Sequence, residues 1–285
     1  MNCRILKISF QNMTMAINQS LAHGLDILLL YDTSYSPLTV FEISKRLHYS
    51  QSKTYRLVRT LVKYGFLQEN NGTSQYGLGL NALRIGLLAQ KRFNVSEIAR
   101  PFMKELSHMT KETVLLTAIN GTKGFVLDRV ESDEPIRYSL FQPGASIPLH
   151  AGASSKILMA YLPEKEWDRI IKAEGLTRYT QNTITQADKL KTHLREVRKK
   201  GYAFSDQEVD REVRSIAAPI INGTGELVGG LSVAGPAYRI KKKKIHSCAK
   251  QIIQYAQKIS SHLDCFSNTA VRNWKDKKST LSKKD

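Results

Sequence analysis

Residues 38–80 read LTVFEISKRLHYSQSKTYRLVRTLVKYGFLQENNGTSQYGLGL, and this stretch parses as a short helix, a tight turn, a second helix and a two-stranded hairpin. Thr39, followed three residues later by Glu42, is the reciprocal pair that satisfies free N–H groups at a helix start, so the first helix begins near Val40. Phe41, Ile43 and Leu47 give it a buried side, and His48-Tyr49-Ser50 breaks it before Ser50 or Gln51 opens the second helix. There Thr54, Leu57, Val58 and Leu61 recur at the steps of one helical face, which is expected in the core. Ser52, Arg56, Arg59 and Lys63 recur on another face, flanked by Lys53 and Tyr55, and make a basic, hydrogen-bonding surface. Gly65 stops the helix. Phe66-Leu67 and Gln75-Tyr76-Gly77-Leu78 then flank Asn70-Asn71-Gly72, residues that tolerate positive φ and favour a hairpin.

That order is the order of a winged helix-turn-helix, whose second helix fits the DNA major groove while the hairpin touches the neighbouring backbone. A basic helical face alone is usually no more than a solvated surface. Cap, turn, basic helix and wing in sequence supply the context that points to double-stranded DNA. The candidate DNA-binding residues are Ser52, Lys53, Thr54, Tyr55, Arg56 and Arg59.

The 285-residue chain is long enough for two domains with their own cores. Its net charge of +18 favours a polyanionic partner. From Met1 to Arg92 eleven Lys and Arg stand against Asp26, Asp32, Glu42 and Glu69, leaving +7 on the segment with the helix-turn-helix, while the Lys241–Lys244 run carries part of the excess elsewhere. No window approaches eighteen apolar residues, and the opening MNCRILKISFQNMTMAINQS lacks the apolar core of a secretion signal, so no membrane partner and a cytoplasmic location are expected. Cys3, Cys248 and Cys265 are too scattered for a disulfide framework or a zinc site, and His23, His48, His108, His150, His246 and His262 are dispersed. No metal and no cofactor are expected.

Upstream, residues 18–30 form a helix with Leu21, Leu25, Leu28 and Leu29 expected against the winged core. The wing is followed directly by a helical stretch to Arg92, rich in leucine; this interdomain helix either carries a dimer seam or packs on its own domain. A helix spans Val95 to Met109 with Ile98, Phe102, Leu106 and Met109 on one side, Pro101 being tolerated only if it starts near Glu97. Thr113–Ile119 and Phe125–Val130 then read as a hairpin, with Ile136–Phe141 as a further strand. Small residues from Ala151 to Lys156 open a helix, two helices follow near Glu164–Ala173 and Ala187–Lys200, and Ile216–Ile221 pairs with Leu227–Ala234. Ile245–Leu263 closes the domain, and the Lys-rich tail after it is expected to be disordered. The predicted fold class is α+β, with residues 1–80 as the winged domain, 81–94 as linker helix, 95–263 as a second α+β domain and 264–285 as a basic tail.

The winged stretch, PLHAGASSKILMAYLP and GYAFSDQEVDREVRSIAAPIINGTGELVGGLSVAGP together resemble, in order, the motifs of the IclR family of bacterial transcriptional regulators, over roughly residues 18 to 263. The resemblance implies a GAF-like effector-binding second domain, a homodimer or dimer of dimers on a pseudo-palindromic operator, and control of carbon-source catabolism, as by a repressor. It implies effector contacts at Ser205, Ser215 and Ser232, beside Gly152 and Ala153, whose small side chains let a ligand approach the backbone. This chain departs from the family's common pattern at Ser205 (Asp), Ser215 (Cys), Ser155 (Gly), Glu212 (Gly) and Ala234 (Ser). Because residues 153–156 open a helix, its free N–H groups favour an anion there, and an organic acid or sugar acid is the expected effector.

The competing reading is a hydrolase-like enzyme using the Ser154-Ser155-Lys156 turn with His150 and Asp206, since a serine beside a lysine can be a nucleophile and its activator. Ser and Lys near a helix start are more commonly cap and solvated charge. No phosphate-binding loop is present, and Gly77-Leu78-Gly79 lacks the rest of a dinucleotide fingerprint.

Overall fold

A computed structural model describes residues 18–31, 36–70, 72–90 and 95–281. Cys3, Asn71, the linker segment 91–94 and the last four residues lie outside the described residues. The chain divides into two compact units, Met1–Ala89 and Gln90–Asp285.

The first unit runs α1 (Gln19–Leu29), β1 (Leu38–Thr39), α2 (Val40–Leu47), α3 (Gln51–Lys63), β2 (Leu67–Asn70), β3 (Gln75–Leu78) and α4 (Leu80–Gln90). The capping box forms as expected: Thr39 Oγ1 accepts the Glu42 N–H at 3.2 Å while the Glu42 carboxylate accepts the Thr39 N–H at 2.7 Å. His48 takes the left-handed conformation (φ 55) that ends α2, and Ser50 caps α3. The wing gains a strand the sequence reading missed, because β1 pairs antiparallel with β3. Ile27, Leu38, Ile43, Val58, Leu67 and Tyr76 form the buried core.

Two expectations on apolar faces fail. Phe41 is 59% exposed, because Ile43 and Ser44 are the buried residues of α2. Leu21, Leu25 and Leu29 are exposed, since α1 buries Ile27 and packs Leu28 alongside it. In α4 the side chains of Leu80, Leu83, Ile85, Leu87 and Leu88 are all exposed. α4 belongs to the first unit: the Asn81 side chain donates to the Tyr64 carbonyl at 2.7 Å, tying its start to the end of α3.

The second unit comprises α5 (Val95–Thr110), β4 (Thr113–Asn120), β5 (Lys123–Val130), β6 (Ser146–Ile147), α6 (Ala153–Ala160), α7 (Glu164–Glu174), α8 (Ala187–Lys200), β7 (Ala203–Asp206), β8 (Val213–Ile221), β9 (Leu227–Pro236) and α9 (Ile245–Leu281). Its six-stranded antiparallel sheet has the order β6-β5-β4-β9-β8-β7, so the two expected hairpins meet along β4 and β9. Alternation along the strands sorts the side chains. Val114, Leu116, Ile216, Ala218, Leu231 and Val233 face α5 and α9, whereas Ala203 and Ala217 face α6, α7 and α8. A satellite cluster of Leu115, Val126, Tyr138, Ala145, Ile147 and Ala234 forms beside that second layer. This is the GAF-like α+β architecture expected, following the winged unit in the chain.

Other expectations change. Ile136–Phe141 is not a strand: the Tyr138 carbonyl is taken by the Thr113 hydroxyl and the buried Arg129 guanidinium, both at 3.0 Å, leaving no ladder to join. α5 starts at Val95, so Pro101 lies inside it. α9 runs on to Leu281 where a disordered tail was expected, since no Gly or Pro interrupts residues 264–281 and each residue added to a nucleated helix gains a further backbone hydrogen bond.

Candidate DNA and effector sites

α3 is held against the winged core by Val58 and the fully buried Thr54, whose hydroxyl donates to the Ser50 carbonyl at 3.0 Å. Thr54 therefore leaves the DNA-binding list: its periodicity placed it in the core, and the core won. Ser52, Tyr55 and Arg56 are exposed, and with Val40 and Gln51 they line one open groove. Neither the Ser52 hydroxyl nor the Arg56 guanidinium has a partner among the described residues.

Two other candidates are partly engaged within the unit. Arg59 stands 3.8 Å from Glu69 on the wing, both largely exposed. Lys53 turns back toward α1, its ammonium 4.0 Å from the centre of the Tyr49 ring and 3.2 Å from His23 Nε2. Tyr49 in turn donates to Asp26 at 2.6 Å, and that hydrogen bond to a carboxylate pushes its hydroxyl up to about 12. The turn between α2 and α3 is thus pinned to α1 by His23, Asp26 and Tyr49. Sequence reasoning had no signal for this latch, since its members stand over twenty residues apart.

In the second unit, hydrogen-bonded register places Ser205, Ser215 and Ala234 side by side across β7, β8 and β9. This row and the start of α6 wall a narrow cavity. Gly152, Ala153, Ser154 and Ser155 contribute from the start of α6, Leu115 from β4, Tyr138, Phe141 and Ile147 from β6 and the loop before it, Val209 and Asp210 from the turn before β8, and Val213 from the start of β8. Gly152 has φ +89, and a Cβ there would sit 3.3 Å from Val209, so glycine suits both backbone and space.

The polar groups here already serve one another. The Gly152 N–H donates to Glu208 Oε2 and the Ala153 N–H to Ser215 Oγ, both at 3.2 Å. The α6 start does attract acceptors, and the chain supplies them itself. Ser232 lies one register step away, opposite Ala217 and Leu115; its hydroxyl pairs with that of Ser154 at 2.7 Å, and it is not among the cavity-lining residues.

Behind the cavity, Lys156 is fully buried and spends its ammonium on the Glu208 carboxylate, the Phe204 carbonyl at 2.9 Å and His193 Nε2 at 3.0 Å. Burial lowers the Lys156 pKa while Glu208 opposes that shift, and burial together with the Lys156 charge lowers His193 to about 4. His193 is thus a neutral acceptor, and neither it nor Glu208 was singled out from sequence. The main-chain carbonyl of Glu208 accepts the Thr183 hydroxyl at 2.6 Å. Lys156 accordingly ties α6 to β7, to α8 and to the turn carrying Asp210.

The hydrolase reading finds no assembled relay. Ser154 is bonded to Ser232 and Lys156 to Glu208, while His150 Nε2 meets the Thr177 carbonyl at 2.9 Å and Asp206 pairs with Arg214 at 2.6 Å and Lys242 at 2.7 Å. Catalysis by a nucleophile needs the base in reach of the nucleophile and oriented by a third group. Among the described residues no cluster of His, Cys, Asp and Glu is arranged to hold a metal, and no helix is long and apolar enough to cross a membrane.

Comparison with known proteins adds an independent line. The family model for the bacterial transcriptional regulator IclR C-terminal domain matches residues 88–261, and that for the IclR helix-turn-helix domain matches residues 20–71. The HTH-type transcriptional regulator BhcR of Paracoccus denitrificans is 33% identical over 242 residues, covering 85% of this chain and 86% of that protein. The crystal structure of the Thermotoga maritima IclR is 29% identical, covers 86% of this chain and 98% of its own, and superposes with a TM-score of 0.63. An IclR homolog from Microbacterium hydrocarbonoxydans complexed with 4-hydroxybenzoate shares the fold at 20% identity, with a TM-score of 0.72 over 85% of this chain and 98% of its own.

Proposed function

This chain belongs to the IclR family of bacterial transcriptional regulators, and on that premise we propose that a small metabolite in the cavity beside α6 controls how α3 binds an operator. The first unit carries the DNA contacts and the second the effector. Ser52, Tyr55 and Arg56 are the principal contacts to groove and phosphate, with Arg59 and Lys53 at the margin. The observation that carries this assignment is the exposed α3 groove, whose Ser52 and Arg56 side chains have no partner among the described residues.

The protein acts in the bacterial cytoplasm as a homodimer or dimer of dimers on a pseudo-palindromic site, as a repressor of a catabolic operon. Exposed Leu21, Leu25 and Leu29 on α1 and the exposed leucines of α4 support self-association, because contiguous apolar surface of this kind is normally covered.

The effector in this reading is an organic acid or sugar acid. Its acid group meets the Ser205 and Ser215 hydroxyls, Ser215 giving up its bond to the Ala153 N–H. The 4-hydroxybenzoate held by the Microbacterium protein is an organic acid, which supports the assignment. The acid switches the protein only if it prefers one arrangement of the DNA-binding units, since equal affinity for both shifts nothing. Genome-wide mapping of bound sites tests the proposal: sites upstream of a catabolic operon, lost on growth with that operon's acid substrate, are expected. Binding spread without sequence preference would contradict it.

A further inference from the structure

The cavity that the preceding reading gives to the effector is lined among the described residues by one ionisable carboxylate, Asp210, and by no Lys, Arg or His. Asp210 is held by the turn that precedes β8. Gln207 adopts φ 59, its N–H donates to the Val213 carbonyl at 3.0 Å, and the Glu212 N–H donates to Asp210 Oδ1 at 2.9 Å. Oδ1 therefore serves the turn, while Oδ2 has no partner among the described residues. Tyr138 lines the same cavity as Asp210, and its hydroxyl is pushed far up, first by burial and next by the Asp210 charge.

A lone acceptor in a cavity otherwise walled by serine hydroxyls and apolar side chains discriminates between ligands by charge. A hydroxyl or ammonium beside it makes a charge-assisted hydrogen bond, whereas a second carboxylate meets a like charge where water is scarce. Resting on the reading that this cavity is the effector site, we propose that Asp210 sets the effector's chemical class. Its free carboxylate oxygen accepts a hydrogen bond from a hydroxyl or ammonium group that the effector carries besides its acid group, and it excludes dicarboxylates.

Four acids of equal chain length separate the possibilities: butyrate, 4-hydroxybutyrate, 4-aminobutyrate and succinate, titrated into the full-length protein by ligand-observed NMR. The wild type is expected to bind 4-hydroxybutyrate or 4-aminobutyrate about tenfold more tightly than succinate, one good charge-assisted hydrogen bond set against one repulsion. Asp210→Asn is expected to bring succinate to within about threefold of them, and Ser215→Leu, which fills the cavity, to abolish binding of all four. A preference unchanged in Asp210→Asn, with binding abolished by Ser215→Leu, overturns the role of Asp210 and leaves the cavity assignment standing. Binding that survives Ser215→Leu overturns the cavity assignment itself. Succinate bound as tightly as the others by the wild type, or none of the four bound by it, also overturns the proposal. A thermal melt of each variant establishes that it is folded before titration.

Discussion

The α3 face and the cavity beside α6, the sites proposed here for DNA and effector, are built in opposite ways. The first is local: one helix carries Ser52, Tyr55 and Arg56 on consecutive turns, and Ser52 and Arg56 reach outward from a core that does not need them. The second is assembled from segments between Leu115 and Ala234, and the N–H groups at the start of α6 are paired with Glu208 and Ser215 before any ligand arrives. A surface that binds a polyanion can leave its side chains solvated, because water pairs them in the free state. In a cavity each unpaired N–H or hydroxyl carries a desolvation cost, which favours pairing within the chain.

The contrast breaks or sharpens first at Lys156. Removing one partner of a buried ion pair leaves the other charge uncompensated, so Lys156→Met should lower unfolding stability by about 3–5 kcal/mol in chemical denaturation. Adding Glu208→Leu should recover part of that loss, since an apolar pair tolerates burial, while the Gly152 N–H stays unsatisfied. A Lys156→Met protein as stable as the wild type would mean that the pair does not hold the cavity wall.

How far each site was legible follows from the same contrast. A helical face repeats every three to four residues, so the α3 surface, the Thr39–Glu42 capping box and the Gly201 stop of α8 could be read directly. Where that reading failed, periodicity left two faces open: Phe41 was assigned inward with Ile43 and only Ile43 is buried, and on α1 tertiary packing buries Ile27 where Leu25 was expected. Thr54 was assigned to both faces, and its hydroxyl has its own use at the Ser50 carbonyl. The serines of the cavity were suggested by family resemblance alone, and the register across β7, β8 and β9 separates Ser205 and Ser215 from Ser232. Glu208 and His193 had no local signal, because their meaning comes from Lys156, 52 and 37 residues away.

A smaller effect should appear in the pH dependence. His193 is lowered from 6.5 to about 4, by burial first and then by Lys156, so the unfolded chain takes up its proton at a higher pH than the folded one. Stability therefore falls as pH drops from about 6.5 toward 4, the unfolded state binding more protons throughout that window. His193→Gln should flatten this part of the stability profile; an unchanged slope would show that His193 is not held neutral by the cavity's rear wall.

The smallest expected effect lies outside both sites. Deleting residues 268–285 should leave operator preference intact and weaken binding only modestly at low salt, because Lys-rich runs contribute sequence-independent attraction. A changed operator preference would give the end of α9 a part in recognition that neither region requires.

Most direct is the affinity of Arg56→Ala for a duplex selected from random sequence by the wild-type protein, measured by fluorescence anisotropy at matched salt beside a scrambled duplex. The account predicts a loss of about 1–3 kcal/mol on the selected duplex, a smaller loss on the scrambled one, and a thermal melt unchanged because Arg56 lies outside the core. A folded variant that binds the selected duplex as tightly as the wild type would contradict it, and the reading face would lie elsewhere on the protein.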